Sequence, residues 1–373
     1  METALARRFP RAVERAPRVR FTSLPTPVQR LDALGAAIGH PDLWIKRDDR
    51  SAALYGGNKP RKLEFLLGDA VDRGRRAVLT TGGTGTNHGL ATAIFARHLG
   101  LRAILVLLDQ PLTDQVRRSL LLDLAAGAEL HYATSVAGVA ARAAAVITAE
   151  TLRGSRPYLI ATGGSSVVGS LGFVDAALEL AEQVRAGELP EPARVYVAAG
   201  TAGTAAGLAL GFRLAGLRSR VVAVSVTDLL PPSPAKIVAH AQRSLRHLRR
   251  LDPSVPAVSL ATDEIRVEQG FVGPGYGAPT IDGLEAIERI RASEGLRLEP
   301  TYTGKCLAAL LADIGRGAPP EPILFWNTYS SVDPAEHLGP LPDWRGLPRA
   351  FHRLFAGVGD GSDGSDGSDG SVG

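Results

Sequence analysis

One cysteine, Cys306, stands in 373 residues, so neither an intrachain disulfide nor a thiolate-rich metal site can form. That scarcity agrees with a reducing compartment, and Cys306 reads as a small apolar helix residue rather than a nucleophile. No apolar run approaches the roughly 20 residues of a membrane-crossing helix. The arginine-rich start lacks an apolar segment and a cleavage site, and Glu2 and Glu14 argue against a transit peptide. A cytoplasmic protein with no membrane partner is expected. Aromatic residues make up only 5% of the chain, and the net charge of +4 is spread along it without a dense basic block. Nucleic-acid binding therefore finds no support, no metal is expected, and a small anionic ligand stays compatible.

What is present is a globular composition, 45% hydrophobic, long enough for about two domains. Apolar strands at Leu43–Lys46, Ala77–Thr80, Ala103–Leu108, Glu129–Ala133, Tyr158–Ile160, Val195–Ala198, Val221–Val226, Ile265–Val267 and Ile323–Trp326 are predicted. Helical spacing between them predicts helices over 61–72, 87–99, 114–126, 136–152, 171–184, 205–214, 235–248, 284–293 and 304–314. Such alternation implies α/β architecture with parallel sheets. From Gly357 onward the Gly-Ser-Asp repeats have nothing to bury, and a disordered, dispensable tail over 357–373 is expected.

Three glycine-bearing junctions carry chemistry-capable side chains. The first is Tyr55-Gly56-Gly57-Asn58-Lys59-Pro60-Arg61-Lys62, where Pro60 suits a first helical position. The glycine pair allows positive φ or close approach of a flat ligand to the backbone; a basic helix start on a solvated face is the plainer reading. The second, Gly200-Thr201-Ala202-Gly203-Thr204, lies between a strand and a helix, where backbone N–H groups and two hydroxyls can converge on a phosphate. A ligand-free strand-to-helix turn would look the same. The third, Gly82-Gly83-Thr84-Gly85-Thr86-Asn87-His88, brings a hydroxyl, an amide and an imidazole to one sheet edge. There Asn87 at the N-cap can simply cap, and His88 can be a partly buried histidine with a satisfied hydrogen bond.

A phosphate cup, a lysine beside a glycine pair and a second polar loop are the parts that hold pyridoxal phosphate as a Schiff base. Lys46-Arg47-Asp48-Asp49, Gly57 to Glu64, Thr86-Asn87-His88 and Gly200 to Thr204, in this order, resemble the fold-type II pyridoxal-phosphate enzymes. The resemblance is to the branch containing D-cysteine desulfhydrase and 1-aminocyclopropane-1-carboxylate deaminase, and it runs from about Pro25 to Trp326. It implies a tryptophan synthase β-like pair of open twisted sheets: a large cofactor-binding domain over 20–61 and 166–345, a small inserted domain over 62–165, and an N-terminal extension over 1–19. It also implies a homodimer.

Carried over by position, the resemblance makes Lys59 the Schiff-base lysine and Lys62 a phosphate or substrate-carboxylate partner. Asn87 would bond the cofactor's phenolic oxygen, and Gly200, Thr201, Ala202, Gly203 and Thr204 would take its phosphate. Thr86, Asn87, His88, Tyr276, Tyr302 and Tyr329 would face a small amino-acid substrate, with Thr86, Tyr276 and Tyr302 counted among the catalytic groups. Thr303 matches the residue facing the pyridine nitrogen, where the deaminases have glutamate, and Thr328 matches a threonine of the desulfhydrases. Both threonines favour β-elimination of D-cysteine. Three departures bear on substrate: Thr86 replaces a serine, Gly85 replaces a glutamine, and Asn327-Thr328-Tyr329-Ser330-Ser331 replaces a His-Thr-Gly-Gly pattern. They keep ring-opening deamination and β-replacement in view, and beside them a non-catalytic protein that binds pyridoxal phosphate or an amino acid.

Overall fold

The computed structural model describes residues 2–229 and 231–356; the Gly-Ser-Asp tail expected to be disordered lies outside them. Two short helices, α1 (Ala4–Arg8) and α2 (Pro10–Arg15), open the chain, followed by β1 (Val28–Arg30), α3 (Asp32–Ala37), β2 (Leu43–Lys46) and α4 (Lys59–Asp72). The next stretch alternates as β3 (Ala77–Gly83), α5 (Asn87–His98), β4 (Arg102–Leu108), α6 (Asp114–Ala125), β5 (Glu129–Ala133), α7 (Val136–Leu152) and β6 (Tyr158–Leu159). Then come α8 (Val167–Arg185), β7 (Arg194–Ala199), α9 (Gly203–Ala215), β8 (Arg220–Ser225), α10 (Pro234–Leu251), β9 (Ile265–Glu268), α11 (Ile281–Glu294), α12 (Thr303–Gly315) and β10 (Ile323–Trp326).

The strands form two sheets, ordered β1-β2-β10-β7-β8-β9 and β5-β4-β3-β6. All neighbours run parallel except the edge pair β1–β2. Near-continuous apolar strands such as Ile323–Trp326 suit this arrangement, because helices cover both faces of the larger sheet. The first helices pack into that core: Leu5 is fully buried and its N–H donates to Asp175 Oδ1 at 2.7 Å.

Within the charged motifs, Lys46, Asp48, Arg61 and Glu64 are scaffold. Arg61 donates to Asp48 and Glu179 at 2.8–3.1 Å, Lys46 Nζ reaches Glu179 at 2.6 Å, and Trp326 Nε1 donates to Asp48 at 2.7 Å. Glu64 accepts from the Phe21 and Thr22 backbone and from Arg18. This buried network ties β2, α4, α8 and β10 together.

Candidate active site

The carboxyl ends of β3, β4, β7, β8 and β10 converge on one cavity of about 580 Å³, where ligands of α/β sheets characteristically sit. Lys59 enters it as the first residue of α4, two positions before the expected helix over 61–72. Burial lowers the Lys59 amine from 10.5 to about 8, against the opposing pull of Glu299. Its Nζ stands 6.0 Å from the centre of the Tyr302 ring.

The glycine pair before it makes its close approaches to the chain's own backbone rather than leaving room for a flat ligand. A Cβ on Gly56 would stand 2.0 Å from the Asp49 carbonyl oxygen; one on Gly57, at φ +85, would stand 2.5 Å from that of Thr328. Asn58 makes no side-chain cap; its amide donates to Thr204 Oγ1 at 3.2 Å, joining the lysine turn to the cup.

Lys62 lines the cavity one helical turn on, with Nζ donating to the Gly163 carbonyl at 3.1 Å. Burial first, and then the neighbouring Lys59, hold its amine well below the ordinary lysine range. Gly200, Thr201, Ala202, Gly203 and Thr204 also line the cavity. Ala202, at φ 63, is the only non-glycine residue with positive φ among the described residues, and it turns the chain into α9 without a side-chain cap. Thr201 Oγ1 lies 2.6 Å from Ser165 Oγ.

At the end of β3, Thr86 rather than Asn87 caps α5: its Oγ1 accepts from Gly89 N at 3.3 Å. Asparagine is the somewhat better cap former, but the extended backbone of Thr86 decides. Asn87 is thereby freed to line the cavity, where Tyr55 donates to its Oδ1 at 3.3 Å. His88 is buried, and neither ring nitrogen has a partner, contrary to a satisfied core histidine. Burial, then Lys59 and Lys62, hold it well below the usual imidazole range and hence neutral.

Tyr276 and Tyr302 meet hydroxyl to hydroxyl at 2.6 Å on the cavity wall, with Thr328 and Tyr329 beside them. Ser330 and Ser331 dock the segment before Lys59: Ser330 Oγ accepts from Gly56 N at 2.9 Å, and Ser331 Oγ donates to the Asp49 carbonyl at 2.9 Å.

Thr303 does not line the cavity: it is 1% exposed and its hydroxyl is held by Glu299. Glu299 does line it, anchored by the N–H groups of Thr301, Tyr302 and Thr303 at 2.8 Å. Burial raises its carboxyl despite these donors. Sequence reasoning missed Glu299 and Tyr55; the only signal for Glu299 was an acidic residue just before a helix start.

A family model described as pyridoxal-phosphate dependent enzyme matches residues 19–328. D-cysteine desulfhydrase of Salmonella typhimurium is 35% identical over 322 residues, covering 84% of this chain and 94% of that protein. The desulfhydrase of Salmonella schwarzengrund is 34% identical over the same shares. A crystal structure described as an ACC deaminase homologue superposes with a TM-score of 0.73 at 31% identity, over 88% of this chain and 95% of its own. Every strand of both sheets falls inside the matched region, and the chain belongs to the pyridoxal-phosphate dependent enzyme family.

Proposed function

We propose that the chain is a lyase acting on a small amino acid, converting D-cysteine and water to sulfide, pyruvate and ammonia. The observation that carries this reading is that Lys59, the Gly200–Thr204 cup and Thr86–His88 line one cavity; its likeness to the desulfhydrases supplies the substrate. The residues fit a phosphate-bearing aldehyde. A buried amine at about 8 is a competent nucleophile, a nest of N–H groups opens α9, and His88 presents two unpartnered ring nitrogens.

Pyridoxal phosphate, when bound, supplies the electron sink that makes the amino acid's α-proton removable. Lys59 would hold its aldehyde end and then take that proton at Nζ. Gly200 to Thr204 would hold the phosphate, Lys62 would regain its proton beside that anion, and Asn87 and Thr328 would border the ring, with Thr303 behind the cavity wall on Glu299. Thr86, His88, Tyr276, Tyr302 and Tyr329 would orient the substrate. The cytoplasmic homodimer and the division into 20–61 with 166–345, 62–165 and the extension over 1–19 belong to the same proposal. The partition of β3 to β6 into their own sheet supports that division.

Holoenzyme incubated with D-cysteine should release sulfide; a fully loaded preparation that releases none refutes β-elimination. Glu299 favours one second reading, ring-opening deamination of 1-aminocyclopropane-1-carboxylate. It brings to the cavity a carboxylate that threonine at 303 does not provide. Ammonia release from that substrate, without sulfide from D-cysteine, would select it.

A further inference from the structure

The loop leaving β4, Asp109-Gln110-Pro111, has no part in the reading above. The Gln110 side chain nevertheless fills a slot between two segments that carry substrate-side groups. Its Oε1 accepts from Gly85 N at 3.0 Å, within the turn that ends in Thr86. The slot exists because three positions lack side chains. A Cβ on Gly83 would stand 2.2 Å from Gln110 Oε1, one on Gly85 2.9 Å from Nε2, and one on Gly277 3.3 Å from Nε2. The Tyr276 ring closes the same space, with Cε1 3.2 Å from where a Cβ on Gly83 would stand. On the cavity wall beside it, Asp109 is held by Arg353 and by the Tyr132 hydroxyl at 2.5 Å, so the loop is anchored from outside.

We propose that Gln110 is a positioning residue that sets the separation between the Thr86 hydroxyl and the Tyr276 ring, and through it the size of amino-acid side chain admitted. A planar amide in contact with the Gly83–Gly85 turn and with Gly277 cannot leave without letting these segments approach or slide. The proposal rests on the site reading for the roles of Thr86 and Tyr276, not on which amino acid is turned over.

The test begins with wild-type holoenzyme and a panel of D- and L-amino acids, followed by Gln110→Ala, Gln110→Asn and Gln110→Glu with the amino acid that responds. Alanine removes the acceptor and asparagine withdraws it by one methylene; glutamate keeps both length and acceptor. The expected result is a KM raised about fivefold or more in Q110A and Q110N, by loss of a hydrogen bond, with the cofactor absorbance band unchanged and Q110E close to wild type. Wild-type KM and kcat in Q110A, or a Q110E as impaired as Q110A, overturns the proposal. Amide hydrogen exchange of the holoenzyme gives a readout independent of substrate. Q110A should exchange faster across both Gly82–Gly89 and Gly273–Ala278, and unchanged exchange in both segments overturns the proposal. If no amino acid responds in wild type, the functional reading fails, and hydrogen exchange still decides on Gln110.

Discussion

The protonation of Lys59 makes a quantitative prediction about the cofactor-free protein. Its amine lies in the cavity with Glu299 as the one charge pulling it upward, and burial brings it from 10.5 to about 8. At pH 7 about one amine in ten is then uncharged, against about one in 3,000 at the ordinary value, roughly a 300-fold gain in nucleophile. The pH dependence follows directly: reactivity should rise through pH 8 and level off above it, where an ordinary lysine would still be gaining. Reductive methylation of cofactor-free protein at graded pH, with the Lys59 peptide quantified by mass spectrometry, measures this against the same peptide in denatured protein. Glu299→Gln removes the charge that favours the ammonium, so its half-point should move to lower pH. A wild-type half-point at or above about 10, or an upward movement in Glu299→Gln, refutes the reasoning.

Arg61→Leu should lower stability by about 3–5 kcal/mol, because it leaves Asp48 and Glu179 buried beside a lost partner. A urea midpoint equal to wild type would contradict that. Asp123 is fully buried, neither carboxylate oxygen has a partner, and burial raises its acid well above the ordinary value. Its contribution to stability is therefore fully present below pH 3.8 and is lost as pH rises toward the folded value. Asp123→Asn should remove that slope and stabilise the protein at neutral pH by about 1–3 kcal/mol, if its amide takes the place of the protonated acid. Denaturation midpoints across pH that keep the wild-type slope in Asp123→Asn would rule this out.

The alternation of strands and helices was legible because each strand is a short apolar run and each helix an amphipathic or alanine-rich one. Helices α1 and α2 were not, being five and six residues long, too short to show a period. Lys59 and the cup were legible because glycine marks strand-to-helix junctions, and those junctions lie at the carboxyl ends of the strands where the cavity forms. Thr86 and Asn87 could not be told apart as cap, since both side chains suit the position. Glu299 and Gln110 escaped for another reason. What each faces, Lys59 for Glu299 and Gly85 for Gln110, comes from a turn far away in sequence, and nothing in local spacing records that Gln110 fits against Gly85.

Helix α4 explains how one short motif serves both scaffold and site. At about 100° per residue, Lys59 and Lys62 fall within about 60° of each other while Arg61 points away by about 160° from Lys59. The first turn therefore presents two amines to the cavity and a guanidinium to the buried acids. The charge states follow from this division. Arg61, between two carboxylates, is held well above its already high value, whereas Lys62, with no carboxylate against it, is driven toward neutrality. A lysine in place of Arg61 would keep the sign but could not span both acids with a planar fork. The guanidinium contacts to Asp48 and Glu179, with those of Glu64 to Arg18, Phe21 and Thr22, fix the rotation of this helix and so the direction in which Lys59 enters the cavity.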